Sequence, residues 1–519
     1  MAEPGQAPAP GTASTSDAWP LSRGAQIVAG FVLAMSNAMV LLDLTVANVS
    51  VPHIAGSLGV TMDQGAWIIT SYAVAEAICV PLTGWLADRF GAVRMFMAAM
   101  FGFGLFSLVC GLSPTLGMLV AARIGQGICG APLLPITQTL LLRVFPPERR
   151  NSAMALWSMT VFAAPALGPI LGGAITDNLS WNWIFLINLP IAAGCLVAGW
   201  LCLRTVETPI TRKPVDRVGI ALLVFWIGCL QIMLDLGRDH DWFGDWRIVA
   251  LAIAAGIGFV VFIIWELTEE HPVVDLRIFR YRNFTVAVFT LTFFFGAYFG
   301  GIVILPQWLQ STQGYTARDA GIVIAWTGAT GIITGMFVSR LVDKVDVRYL
   351  ITTGILWFAI MSFVRSGWTS GVDFWTLSWP QILQGLGVPL IMMPLTQMAL
   401  GAVRPHEVSA AAGLQNFLRT LAIAVSTSVF LTIWGDQQRV STNAMADVIT
   451  PDSTIRALGE RGIGTETARS VVGNLVDQQA MILALDHVYL LSMASALFAA
   501  ALVWLAPRPK LLKQMKGAH

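Results

Sequence analysis

Apolar runs of about 20 residues alternate with short polar breaks along almost the whole chain. They cover 25–47, 65–86, 95–113, 116–142, 152–176, 183–203, 216–235, 247–267, 284–309, 318–340, 349–368, 378–402, 408–434 and 487–507. About 20 apolar residues in a helix cross a hydrocarbon core about 30 Å thick. The pattern therefore predicts an all-α polytopic membrane protein with fourteen transmembrane helices. A membrane β-barrel would show short strands of alternating hydrophobicity instead.

An even number of spans puts both termini on one face, and positive charge chooses the face. With cytoplasmic termini, 21 of the 31 Lys and Arg fall in cytoplasmic loops and tails, eight fall outside, and Arg123 and Arg419 lie within spans. The opposite orientation would put those 21 on the wrong side. The first 22 residues are rich in Pro, Ala, Ser and Thr and carry no Lys or Arg, and they show no signal-peptide pattern. A disordered cytoplasmic tail is expected over 1–24 and a second cytoplasmic tail over 508–519.

Two internal echoes divide the chain. RIGQGICGAPLLPITQ (123–138) is matched by QILQGLGVPLIMMPLTQ (381–397), with Gln126 and Gln384 258 positions apart; LADR (86–89) is matched by LVDK (341–344), 255 apart. Span 4 thus corresponds to span 12 and span 2 to span 10. The expected organisation is a six-helix half over 25–203, a linker over 204–283 with two inserted helices (216–235 and 247–267), and a second six-helix half over 284–507. Parallel halves flanking a central site are a transporter design.

Composition agrees: 56% of residues are hydrophobic, 12% are charged, and mean hydropathy is +0.70. The net charge of +1 gives no reason to expect a nucleic-acid partner. The six cysteines (79, 110, 129, 195, 202, 229) lie in or beside apolar runs and read as packing residues. No GxxxxGK[ST], HExxH or GxSxG is present, so neither an ATP-driven pump nor a membrane hydrolase is expected, and nothing has metal-ligand spacing.

GWLADRFGAVR (84–94), at the inner end of span 2, resembles the loop signature of the major facilitator superfamily. LLDLTVANVSVPHIA (41–55), RIGQGICG (123–130), APALGPILGG (164–173) with WNWIFLINLP (181–190), LQIMLDLGRDHDWF (230–243) and WELTEEHPVVDLRIF (265–279) narrow the resemblance. It falls within that superfamily on the fourteen-helix drug:proton antiporters of the EmrB/QacA type, and runs from about residue 25 to 507. The resemblance implies the major facilitator fold, proton-driven efflux of hydrophobic or amphipathic toxic compounds, and an inner-membrane location. It also implies work with a periplasmic membrane-fusion adaptor and an outer-membrane channel, with protons as the coupling ion and no cofactor. A narrower physiological substrate or another transport mode is the alternative. By the same resemblance Gly84, Asp88, Arg89, Gly91 and Arg94 form a cytoplasmic gate. Pro165, Gly168, Pro169, Gly172 and Gly173 form the antiporter motif. The second half departs from the pattern: Asp346 stands where the first has Gly91, and span 13 lacks the Pro-Gly stretch.

Ionisable side chains inside a bilayer are expensive and read as functional by default. Counting 1.5 Å per residue, Asp43 and Arg123 reach similar depths in the outer half, so a proton-switched ion pair is expected if their helices adjoin. Glu76, near the midplane without a neighbouring charge in sequence, suits a proton carrier or a binder of cationic compounds. Proton coupling is therefore assigned to Asp43, Glu76 and Arg123. Asp235, Asp486 and His487 sit at span ends and read as interfacial. Gln138, Met392, Met393, Gln397, Asn416 and Arg419 are the expected substrate-cavity residues, since spans 4, 12 and 13 carry polar groups at mid-depth. In APALGPILGG the small residues recur every four positions, as in close-packed membrane helices, and the expected contact is a helix of the other half. The polar segment 435–486 reads as a solvated hairpin or loop, or as a docking surface for the adaptor.

Overall fold

The protein, seen in a computed structural model, is described at residues 21–210, 214–237, 240, 242–342, 344–448, 456, 458, 460 and 464–507. The tails expected at 1–24 and 508–519 lie outside this set apart from 21–24, as do the side chains of Pro165 and Pro169. Helices occupy all fourteen apolar runs: α1 (Arg23–Leu58), α2 (Met62–Cys79) with α3 (Thr83–Phe90), α4 (Ala92–Gly111), α5 (Leu116–Gly130) with α6 (Leu133–Val144), α7 (Arg150–Asn178), α8 (Trp183–Leu186) with α9 (Asn188–Leu203), α10 (Arg217–Leu236), α11 (Trp246–Thr268), α12 (Arg282–Thr312), α13 (Ala317–Leu341), α14 (Val347–Arg365), α15 (Phe374–Leu400), α16 (Val408–Val448) and α17 (Thr465–Val503). Twelve of these tracts are long and apolar enough to cross a membrane. The pair within α2 and α3, bent by 59° around Pro81, makes a thirteenth, and the 29-residue α7 stands in the place of the fifth expected span. This is a multi-pass membrane protein.

The two halves repeat one packing scheme. In the first, α1 packs on α7 and α9, α2 on α5, and α4 on α5 and α9; in the second, α12 packs on α16 and α17, α13 on α15, and α14 on α15 and α17. The inserted helices α10 and α11 pack on each other, and α10 leans on both α2 and α16. There the Ser428 hydroxyl donates to the Leu234 carbonyl at 2.8 Å, and Trp226 meets Phe417 edge to face. The insertion therefore straddles the seam between the halves.

The halves pack along α7 and α13 and touch again at the end carrying loop 84–94. A methyl group on Gly84 would lie 2.6 Å from the Ala410 Cα, so only glycine lets α3 lie against the start of α16. Deeper along the seam, Met159 of α7 presses on Gly335 of α13. At the same end the Gly91 backbone turns at φ 91°, and Glu207 accepts from the Val93 and Arg94 amides at 2.9 and 3.0 Å, its charge facing the positive N-terminus of α4. The second half solves this differently: Asp346 itself accepts from the Arg348 amide at 3.0 Å and caps α14. That is why the glycine is dispensable there.

Another tie at this end joins linker to bundle. Arg280 (2.5 Å), the Tyr281 hydroxyl (2.9 Å) and the Arg404 amide (3.0 Å) all donate to Glu407. Burial works against that charge, but these bonds outweigh it and hold the carboxyl below its ordinary value. Such a group contributes stability that is complete above the unfolded carboxyl value, about 4.3, and lost as pH falls through the lower folded value. Glu407→Gln should lower the Tm of detergent-solubilised protein at pH 7 and lose that deficit on acidification; an equal deficit at both pH values would show packing alone at work.

Two expectations change. The small stripe of 164–173 does not face the other half. A methyl on Gly168 would fall on the Thr45 hydroxyl, and one on Gly172 would lie 3.2 Å from the Val46 carbonyl oxygen, so the stripe seats α7 against α1 of its own half. A different face of α7 runs along α13 of the other half, with Met159 against Gly335. The ends of spans 13 and 14 also move: α16 runs 41 residues and α17 39, or about 60 Å each at 1.5 Å per residue. Apolarity marks where a helix leaves the membrane, not where it ends. Described residues 435–448 and 465–486 thus continue both helices as an arm, which Trp434 secures by donating to the Met481 carbonyl at 3.4 Å.

Candidate functional site

α1, α2, α4, α5 and α9 converge on a closed polar cluster. Arg123 is fully buried and donates to Asp43 Oδ2 at 2.6 Å, to Gln126 Oε1 at 2.8 Å and to the Ile68 carbonyl at 3.1 Å. Gln126 donates onward to Asp43 Oδ1 (2.9 Å) and Ser107 (2.7 Å), and Asn188 donates to the same carboxylate oxygen at 2.7 Å. The guanidinium also lies 4.2 Å from the Tyr72 ring centroid and 5.6 Å from that of Phe185. Asp43 is 3% exposed and accepts from three side chains. Charge-assisted bonds of this kind are short and strong, and the Asp43–Arg123 pair is such a bond, with both side chains buried.

Ile68, Tyr72 and Glu76 recur every four residues on one face of α2, so the helix that cradles Arg123 carries Glu76 one turn further in. Glu76 is 8% exposed and, among the described residues, its carboxylate makes no hydrogen bond or ion pair. Arg419 is the cation that acts on it most strongly, with Arg123 next. Arg419, also buried, rests over the Trp157 ring of α7 (5.9 Å) and the Phe295 ring of α12 (5.6 Å), and its Nε has no partner. One turn away Asn416 donates to Gln138 at 2.6 Å, joining α16 to α6 across the seam. A carboxylate from one half and a guanidinium from the other thus share a buried region walled by aromatic rings.

The expected cavity residues divide. Gln138, Asn416 and Arg419 gather at this seam. Met393 instead lines a separate small apolar recess with Ser158, Met159, Gly331 and Pro389, between α7, α13 and α15. Met392 is buried in the main core, and Gln397 is half-buried on the same helix. The gate residues Asp88 and Arg89 lie on α3, Arg89 over the Trp85 ring at 5.5 Å; Arg94 is mostly exposed and reaches Glu207 at 4.0 Å. All six cysteines are free, and no metal-ligand cluster occurs among the described residues.

Sequence reasoning missed Ser107, Asn188, Tyr72 and Glu207. Tyr72 was readable as the i−4 neighbour of Glu76, and Asn188 as the one amide in an otherwise apolar span. Glu207 had no local signal, because it acts on a helix more than a hundred residues away.

The family profile of the Major Facilitator Superfamily matches residues 33–427. The chain is 39% identical over 496 residues to the multidrug export protein EmrB of Escherichia coli strain K12, which covers 94% of this chain and 97% of that protein. It is 40% identical over 482 residues to the fatty acid resistance protein FarB of Neisseria gonorrhoeae, covering 92% and 95% respectively. Among solved structures, the human organic anion transporter MFSD10 superposes with a TM-score of 0.57 at 15% identity, covering 91% of this chain and 99% of that one, a likeness of fold alone. With its duplicated six-helix halves and a match over nearly its whole length, the chain belongs to the major facilitator superfamily, among members of the EmrB type.

Proposed function

We propose that this protein is a proton-driven antiporter that exports hydrophobic or amphipathic toxic compounds across the bacterial inner membrane. Positive charge puts both termini and loop 84–94 in the cytoplasm, so the close Gly84–Ala410 contact closes the cytoplasmic side and the α16–α17 arm projects outward, where a periplasmic adaptor would meet it. The observation that carries proton coupling is Glu76: a buried carboxyl with no ion pair among the described residues, on the helix that cradles Arg123 and within electrostatic reach of Arg419 of the other half. Protonating it removes the attraction across the seam and lets the halves part; deprotonation restores it. Asp43, held by three donors, is the second coupling group, because its protonation would release Arg123. The aromatic walls around Arg419 suit broad apolar substrates. The likeness to a fatty acid resistance protein favours amphipathic acids as a second reading of the substrate, which Arg419 would attract.

Inverted membrane vesicles energised acid-inside should accumulate such compounds, and a protonophore should collapse the gradient. Glu76→Gln should reduce accumulation to background while the protein remains inserted. Accumulation that survived the protonophore would exclude proton antiport; full activity in Glu76→Gln would remove Glu76 from the mechanism.

A further inference from the structure

α14 ends on Arg365, and the apolar pattern leaves that residue at the rim of a span. In the structure it is only 4% exposed, enclosed by α12, α15 and α17. Its guanidinium donates to Gln384, to Gln381 Oε1 at 3.3 Å and to the Pro380 carbonyl at 3.5 Å, and lies 5.5 Å from the Tyr489 ring centroid. Among the described residues no carboxylate pairs with it; Asp486, three positions before Tyr489 on α17, forms no ion pair with it. The last carbonyls of α14 supply only part of a negative charge, about half an elementary charge for a helix end. A buried charge left without a partner is strongly unfavourable.

The first half shows what is missing. At the offset of 258 that relates Gln126 to Gln384, Arg123 corresponds to Gln381 on the same helix. In each half the glutamine bonds to a side chain of the preceding helix, Ser107 of α4 in the first and Arg365 of α14 in the second. The arginine beside the glutamine comes instead from the neighbouring helix, and among the described residues no carboxylate stands by it as Asp43 stands by Arg123. A small recess adjoins the guanidinium, lined by Gly301, Ser362, Arg365, Gln381, Gln384 and Ser492. Arg365 Nε, Gln381 Nε2 and the hydroxyls of Ser362 and Ser492 make no hydrogen bond. Four donors and one uncompensated positive charge surround a space of about one water molecule's size, which is the chemistry of an anion site.

We propose that this recess binds one monovalent anion, as free chloride or as the carboxylate of an amphiphilic acid, which supplies the negative charge that Asp43 provides in the first half. The site stands apart from the seam and does not depend on which compounds are exported.

The purified full-length protein should show a saturable rise in Tm when chloride replaces gluconate at constant ionic strength. A rise with octanoate but not with chloride would identify the amphiphile carboxylate as the source; a rise with chloride alone would identify the free ion. Gly301→Asp puts an acid on the wall of the recess, and its Cβ has room, 3.4 Å from the nearest atom of the Tyr489 ring. This variant should fold, match the anion-saturated wild type in Tm, and respond to neither anion. A wild-type Tm indifferent to both anions, or a Gly301→Asp response equal to that of wild type, would overturn the proposal. Arg365→Gln, where it folds, should lose the response as well.

Discussion

Arg123→Met should be among the most destabilising single substitutions in this chain, and adding Asp43→Asn to it should recover much of the loss. Removing one partner of a buried pair leaves the other charged and unpaired, at about 3–5 kcal/mol. Asp43 would keep Gln126 and Asn188 as donors, 2.9 and 2.7 Å away, but neither carries charge. Asparagine at 43 removes the orphaned charge and retains an oxygen for those donors. A double-mutant cycle on unfolding in detergent should therefore give a coupling energy of at least about 2 kcal/mol. Additive effects would mean that the 2.6 Å contact contributes little beyond its separate parts. Proton-driven accumulation should be absent in all three variants, including the stabilised double, because the double restores packing without restoring a titratable group. Transport by the double variant would show that the pair is a structural tether.

Gly84→Val should abolish transport without unfolding either half. The atom in its way is the Ala410 Cα, which no rotamer change can move. The side chain must therefore push α3 off the start of α16, holding the cytoplasmic side open. The rest of each half keeps its own packing, so near-native thermal stability should accompany the loss of accumulation. Spin labels on cysteines replacing Arg94 and Arg404, both exposed at that end, should report a longer separation than in otherwise native protein. Normal transport by Gly84→Val would show that the contact is incidental to the cycle.

Spans, repeat and superfamily were legible because the bilayer imposes length and apolarity on each helix, and those survive in a single sequence. The Asp43–Arg123 pairing was legible for a related reason: depth along a helix can be counted, and two opposite charges at equal depth have few alternatives. What failed was azimuth. The spacing of Ala164, Gly168 and Gly172 correctly described a flat face, but a flat face does not say which neighbour it meets, and α1 and α13 both border α7. Arg365 failed for another reason. A cation at the rim of an apolar run looks solvated, and only packing by α12, α15 and α17 reveals it as buried. Methionines such as Met392 and Met393 divided between core and seam because an apolar side chain suits either place equally well.

Helix α16 is unbroken from Val408 to Val448. It begins beside Gly84 at the end carrying loop 84–94, carries Asn416 and Arg419 past the seam, and finishes in the arm at the opposite end. A rigid rod of about 60 Å hinged near its inner end behaves as a pointer: a 10° tilt there sweeps the far tip through about 10 Å. Opening on the cytoplasmic face would thus be legible as displacement outside the membrane, with no separate signal needed to report it.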